Sequence, residues 1–273
     1  MVTGKTPLLE NILSELECFA PQRWAESWDN PGLQVGSRRQ PVSRIFLSLD
    51  PTLTAVQRAV RSGADLLLTH HPLVFKPMSS LDVNRYPGSV IVEALKGGLS
   101  VVAAHTNLDV APGGINDILA DLVGLENRKW IKPLRDEEKA GLGRVGDLPQ
   151  PLHMLAVKKR VLEVLGNRAI RIGGAENDRV RRMAVVGGSG GSLTALAAEK
   201  GAEVLLTGDV SHHQALEAQS LGLTLMDGGH FQTEKVAFNA FADPLRRLLS
   251  KKGWEVTVTV DEEETDPLYS TDT

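Results

Sequence analysis

The stretch RIFLSLDPTLTAVQRAVRSGADLLLTHHP, from Arg44 to Pro72, carries the reading of the fold. Ile45–Leu49 is a short apolar run, Thr52–Ser62 has helical spacing, and Ala64–Thr69 is a second apolar run. Such runs, bounded by turn formers, predict buried strands on either side of a helix. An offset of 138 residues brings a second stretch, RMAVVGGSGGSLTALAAEKGAEVLLT from Arg182, into gapless alignment with the first. Seven of the 26 aligned positions are identical, and the endings GADLLLT and GAEVLLT share more than apolar character. The expectation is a strand–helix–strand unit used twice.

Working outward, Leu8, Ile12, Leu16 and Phe19 recur at helical spacing, whereas Trp28–Gly36 (WDNPGLQVG) is rich in turn formers. Ser89–Lys96 reads as a helix and Leu99–Ala104 as a buried strand. The fold class that follows is α/β: two lobes related by the repeat, with mixed sheets flanked by helices. Residues 1–125 form the first expected lobe and 181–260 the second. Residues 126–180 connect them. That segment contains a charged, glycine-rich loop or hairpin edge and a helix over Lys158–Leu165, and is too short for a large inserted domain. Trp254–Val260 reads as a strand, and residues 261–273 form an acidic tail without periodicity, either disordered or an ordered extension.

Composition narrows the classes of function. Of 273 residues, 42% are hydrophobic and 23% charged, and the net charge is −4, so a polyanionic partner is not favoured. Basic clusters such as Lys158–Arg160 and Arg179–Arg182 carry few interleaved aromatics and read as solvated surface, which disfavours nucleic acid. Cys18 is the only cysteine, so neither a disulfide framework nor a thiolate cluster is possible. No apolar run approaches the ~20 residues a membrane helix needs, and no signal-like segment opens the chain; a cytoplasmic protein is expected.

Chemistry concentrates where the apolar runs stop. Neighbouring residues on a continuing strand point to opposite faces, but Pro72 ends the strand at His70 and His71, so both can turn into one crevice. In parallel α/β sheets ligands bind at that end of the strands. An isolated histidine pair equally fits a core or capping residue beside a solvated one. Two further stretches weigh against that: VVAAHTNLD puts His105 and Asp109 four apart, and LTLMDGGHFQTE does the same for His230 and Glu234. A helix starting near His230 would bring the latter pair onto one face, whereas Pro112 and its glycines predict a loop for HTNLD. Three imidazoles and two carboxylates, with His105 in reserve, cannot fill two closed four-ligand sites, a pattern that suits a catalytic centre of zinc, iron, manganese or cobalt.

Three other features have two readings each. The loop VVGGSGGS, with Gly187–Gly191 at its centre, is a tight packing turn or a phosphate cradle whose helix Ser192 caps. Asp209, His212 and His213 line the same crevice or simply start a helix; Trp28, Asp29 and Asn30 pack or form a rim over the site.

The motifs WDNPGLQVG, LLLTHHPL, HTNLD and GDVSHH…DGGHFQTE, in this order from Trp28 to Glu234, resemble those of the Nif-three-like family, also known as GTP cyclohydrolase type 2-like. The resemblance implies two α/β lobes around a dinuclear metal centre in the cleft between them, and a toroidal homohexamer. It implies metal ligation by His70, His71, Asp109, His230 and Glu234, with Glu234 bridging and His105 auxiliary. The function expected is a metal-dependent hydrolase, acting through a bridging hydroxide on a small nucleotide-like or phosphate-containing substrate, GTP among them. His105, His212 and His213 are the candidate proton carriers. The alternative is a non-catalytic metal-holding scaffold or metallochaperone that meets regulatory proteins.

Overall fold

The first sheet has the strand order β1-β4-β3-β2-β11 and the second β5-β6-β8-β9-β10-β7, in a computed structural model that describes residues 6–135, 137–166 and 169–268. In chain order the elements begin α1 (Leu9–Phe19), β1 (Gly32–Val35), β2 (Arg44–Ser48), α2 (Leu53–Arg61), β3 (Leu66–Thr69), α3 (Gly88–Lys96), β4 (Ser100–Ala103) and α4 (Thr106–Val110). They continue with α5 (Ile115–Val123), β5 (Glu126–Leu134), β6 (Glu137–His153), α6 (Met154–Val164), β7 (Arg171–Gly174) and β8 (Arg179–Ser189). The last are α7 (Thr194–Glu199), β9 (Val204–Gly208), α8 (His212–Ser220), β10 (Thr224–Asp227), α9 (His230–Ala240), α10 (Ala242–Ser250) and β11 (Thr257–Val260). Two compact units result: residues 1–108 with 238–273, and residues 109–237.

In the first unit β11, β2, β3 and β4 run parallel, and β1 closes the edge antiparallel to β4. All four residues of β3 are buried, as expected of a parallel strand covered on both faces. The core packs Phe46, Leu67 and Val101 of the sheet against Val56 and Ala59 of α2 and Val90, Ile91 and Ala94 of α3. Helix α2 starts where Thr52 accepts a hydrogen bond from the Ala55 amide through its side chain, the N-cap interaction its sequence favours.

In the second unit β8, β9 and β10 are the parallel strands; β5, β6 and β7 join antiparallel. Ala184, Leu205 and Leu225 of the sheet pack with Ala197 of α7 and Ala218 of α8. Both aligned stretches thus fold as strand, helix and strand with parallel pairing, β2–α2–β3 and β8–α7–β9.

Four local expectations are corrected. The turn-rich WDNPGLQVG contains β1, an edge strand whose register slips between Leu33 and Val35, which accommodates its glycines and proline. HTNLD is helical rather than a loop: the Asp29 carboxylate accepts the Thr106 amide and hydroxyl, and Asn107 accepts the His105 amide, so the first turn is capped. Residues 126–180, expected to connect the lobes, supply β5, β6, α6 and β7, and three of these are strands of the second sheet. Strand β11, expected in the second lobe, pairs with β2 of the first sheet. Past it, the acidic segment is ordered as far as described, with Asp261 and Glu264 buried. Among the described residues no helix is long and apolar enough to cross a membrane.

Candidate metal centre

Register explains why the histidines gather. Ser48 lies beside Thr69 and Thr69 beside Ala103, so β2, β3 and β4 end level with one another. Two residues further on stand Asp50, His71 and His105, with His70 beside His71. His70, His71 and His105 each offer a ring nitrogen within 4.8 Å of the others. The rings of His70 and His105 meet edge-on, with centroids 5.1 Å apart. His105, held in reserve on sequence grounds, is therefore a full member of this group.

In the second unit β9 and β10 end level at Thr207 and Asp227. Asp209 follows two residues later, and His230 and Glu234 occupy the first turns of α9, as their spacing predicts. His230 Nε2 lies 3.1 Å from Glu234 Oε2, and Glu234 is buried. Asp109 is also buried; it lies on α4 four residues after His105, and its carbonyl accepts a hydrogen bond from Asn116.

The four histidines share one feature that spacing alone does not show. His70 Nδ1 is 2.9 Å from the Ala104 carbonyl, His71 Nδ1 2.7 Å from Asp50, His105 Nδ1 2.7 Å from Asp29, and His230 Nδ1 2.8 Å from Asp209. A carbonyl oxygen can only accept, as can an ionised carboxylate, so each Nδ1 carries the proton and donates it. In the neutral ring this leaves the Nε2 lone pair for a Lewis acid, the arrangement in which metal-binding histidines are usually held. Four rings thus hold the tautomer a metal requires, and the donor set fits divalent ions that accept nitrogen and oxygen.

Asp29 is fixed most firmly. Burial pushes its carboxyl up, but the hydrogen bonds from His105 and Thr106 outweigh that and bring it down to about 2. The indole of Trp28 stands beside His105, at 5.9 Å between centroids, and beside Phe75 at 5.6 Å.

Gly188 makes room for Glu234. Its φ is +64°, and a Cβ there would lie 2.1 Å from Glu234 Oε1 and 3.2 Å from His230 Nε2. Gly188→Ala should therefore displace the Glu234 carboxylate and cost about 1–3 kcal/mol of stability as well. Denaturant unfolding and a metal titration on the same sample check both effects. The phosphate-cradle reading of this loop does not survive: the amides of Gly187, Gly188 and Gly190 already donate to Asn116, Thr233 and Thr207. Nor does Ser192 cap a helix, because a short 3-10 turn over Gly191–Leu193 leads into α7.

His212 and His213 stand on the exposed first turn of α8, ring against ring, with Ser211 and Gln214 closing a capping box. Among the described residues they belong to neither the three-histidine group nor the His230–Glu234 pair. The helix-start reading accounts for them. Asp50 is the residue that sequence reasoning missed; it has no motif of its own, and its partner lies 21 residues away. Asp209, whose aligned counterpart is His71, is the carboxylate that orients His230. Asp209→Ala should weaken metal binding about 10–100-fold with the fold unchanged, as removal of such partners usually does. Isothermal titration of the metal-free protein checks this.

The fold and these side chains define a mixed α/β protein carrying two groups of histidine and carboxylate donors suited to divalent metal ions. The chain belongs to the Duf34/NIF3 (NGG1p interacting factor 3) family, whose profile matches residues 7–267. It is 36% identical over 266 residues to a GTP cyclohydrolase 1 type 2 homolog of Streptomyces coelicolor, covering 96% of this chain and 93% of that one. A homolog of the same description from Clostridium perfringens is 31% identical over 259 residues, with 95% and 98% covered. Among solved structures, a Bacillus cereus protein related to NIF3 superposes with a TM-score of 0.90 at 26% identity, covering 98% of this chain and all of that one. Reduced HcgD from Methanocaldococcus jannaschii superposes with a TM-score of 0.78 at 29% identity, with 93% and 97% covered.

Proposed function

We propose that this protein holds two divalent ions through His70, His71, Asp109, His230 and Glu234, and that it hydrolyses a small nucleotide-like or phosphate-containing molecule. The observation that carries the reading is the shared Nδ1 pattern, which prepares four imidazoles to bind through Nε2. Five donors leave coordination positions open, as catalytic sites do and closed structural sites do not. When bound, two such ions supply Lewis acidity and lower the pKa of water. Glu234 suits the shared ligand, with Gly188 clearing space at its carboxylate. His105, whose tautomer Asp29 fixes, suits holding or moving a proton at Nε2. The nucleotide preference rests on the names of the relatives, GTP cyclohydrolase 1 type 2 homolog. The homohexamer and the cytoplasmic setting belong to this reading through the family resemblance.

The test is to load purified protein with zinc, iron, manganese or cobalt, count ions per chain, and assay nucleotides, phosphodiesters and dinucleotides. Two ions per chain and a turnover that disappears in both Asp109→Ala and Glu234→Ala, with the fold intact, are the expected results. Two ions with no turnover across that panel would sink the hydrolase and leave the metal-holding scaffold.

A further inference from the structure

We propose that the C-terminal segment Asp261–Glu264 anchors the turn that holds His71, with Glu264 acting as a positioning residue through Asp50. The proposal rests on the metal-binding reading of His71.

The turn in question leaves β2 at Ser48 and passes through Leu49 and Asp50. Glu264 lies against it: Oε2 accepts the Leu49 amide at 2.9 Å, and Oε1 accepts the Asp50 amide at 2.7 Å and the Ser48 hydroxyl at 2.9 Å. Successive backbone amides converging on one carboxylate form an anion-binding concavity. Here it is filled by a side chain from more than 200 residues further along the chain. Asp261 holds the segment in place. Its amide donates to Leu47 at 2.8 Å, extending the pairing of β11 with β2, and its carboxylate accepts Arg58 Nε at 2.8 Å and Nη2 at 2.6 Å. Asp261 and Glu264 are 1% and 8% exposed, so neither pair is a solvated surface contact.

The turn is held on its other side by His71. The His71 amide donates to the Leu49 carbonyl at 3.0 Å, and His71 Nδ1 donates to Asp50 at 2.7 Å. Glu264 fixes the Asp50 backbone, Asp50 fixes the tautomer and tilt of His71, and His71 presents Nε2. Without the anchor, the Asp50 backbone regains freedom and its carboxylate no longer meets the ring at one angle. A purely structural tail would lower the melting temperature and leave the properties of His71 in the folded protein unchanged.

The experiment uses the full chain with Co²⁺ as probe, following its visible absorption, alongside histidine-selective ¹⁵N NMR of the metal-free protein. Glu264→Gln, with one amide acceptor replaced by a donor, should weaken Co²⁺ binding by about 10-fold or more. It should also shift or broaden the His71 Nδ1–H signal while that of His230 stays in place. In an Asp50→Ala background the same substitution should add nothing, because the two act in series. Glu264→Asp, which withdraws the carboxylate by one methylene, serves should Glu264→Gln not fold, and the same changes are expected of it. Unaltered affinity and an unaltered His71 signal would overturn the proposal, as would an effect that multiplies in full with Asp50→Ala. A wild-type protein that does not bind Co²⁺, or a His71→Ala variant that binds it undiminished, sinks the metal reading and this proposal together. Intact binding with an indifferent Glu264 sinks this proposal alone.

Discussion

Saturating divalent metal should raise the midpoint of thermal unfolding by roughly 10 °C. A ligand at 1,000 times its dissociation constant stabilises the folded state by about 4 kcal/mol, and each kcal/mol shifts a chain of this size by roughly 2–4 °C. The rise should disappear in His70→Ala and in Glu234→Ala, since each removes a donor from one of the two groups. It should persist in His212→Ala, whose ring stands on the exposed first turn of α8. Differential scanning fluorimetry with and without a chelator separates these outcomes. A midpoint unaffected by any of the four metals would leave the Nδ1 pattern without a purpose.

Loss of the Arg144 side chain should be the most damaging single change outside the metal centre. Arg144 is 2% exposed, and its guanidinium donates to both carboxylate oxygens of Asp117 and to the carbonyls of Gly141, Gly143 and Ala111. It ties β6 to the start of α5. Arg144→Met strands a buried carboxylate and should cost about 3–5 kcal/mol, whereas Arg144→Met with Asp117→Leu should recover much of that. The same pair carries a pH signature. Burial pushes the Asp117 carboxyl up, but the hydrogen bonds and charge of Arg144 outweigh it and hold it below the usual carboxylate range. A carboxyl whose folded value is depressed stabilises fully above its unfolded value of about 4, and that contribution fades as pH falls through the folded value. Stability measured from neutral pH down to pH 2 should therefore fall less steeply in the double variant than in the wild type.

What was legible in the sequence follows burial. Strands β2, β3 and β4 are covered on both faces, so they stand out as nearly unbroken apolar runs between turn formers. The β5–β6 hairpin was barely visible, because much of β5 faces solvent and Pro149 and Pro151 interrupt β6 where its register with β8 slips. The ligand candidates announced themselves through local spacing, His70 beside His71 and two His-x-x-x-carboxylate pairs. Their supports did not. Asp50 and Asp29 reach their histidines across 21 and 76 residues, and no pattern within one element encodes such a meeting. The pairing of β11 with β2 spans more than 200 residues and is invisible for the same reason. Asp209 was the exception, because the offset between the two aligned stretches set it opposite His71.

The first unit is built from both ends of the chain, whereas residues 109–237 form the second without interruption. On a ribosome, chains fold roughly in the order they emerge. The second unit can therefore be complete while the first still lacks β11 and the carboxylates of Asp261 and Glu264. His70, His71 and His105 are all translated early, yet the turn that steadies His71 closes only when nearly the whole message has been read. A nascent or C-terminally clipped chain would thus carry every ligand and still grip metal poorly, so that loading with metal reports on the completion of synthesis.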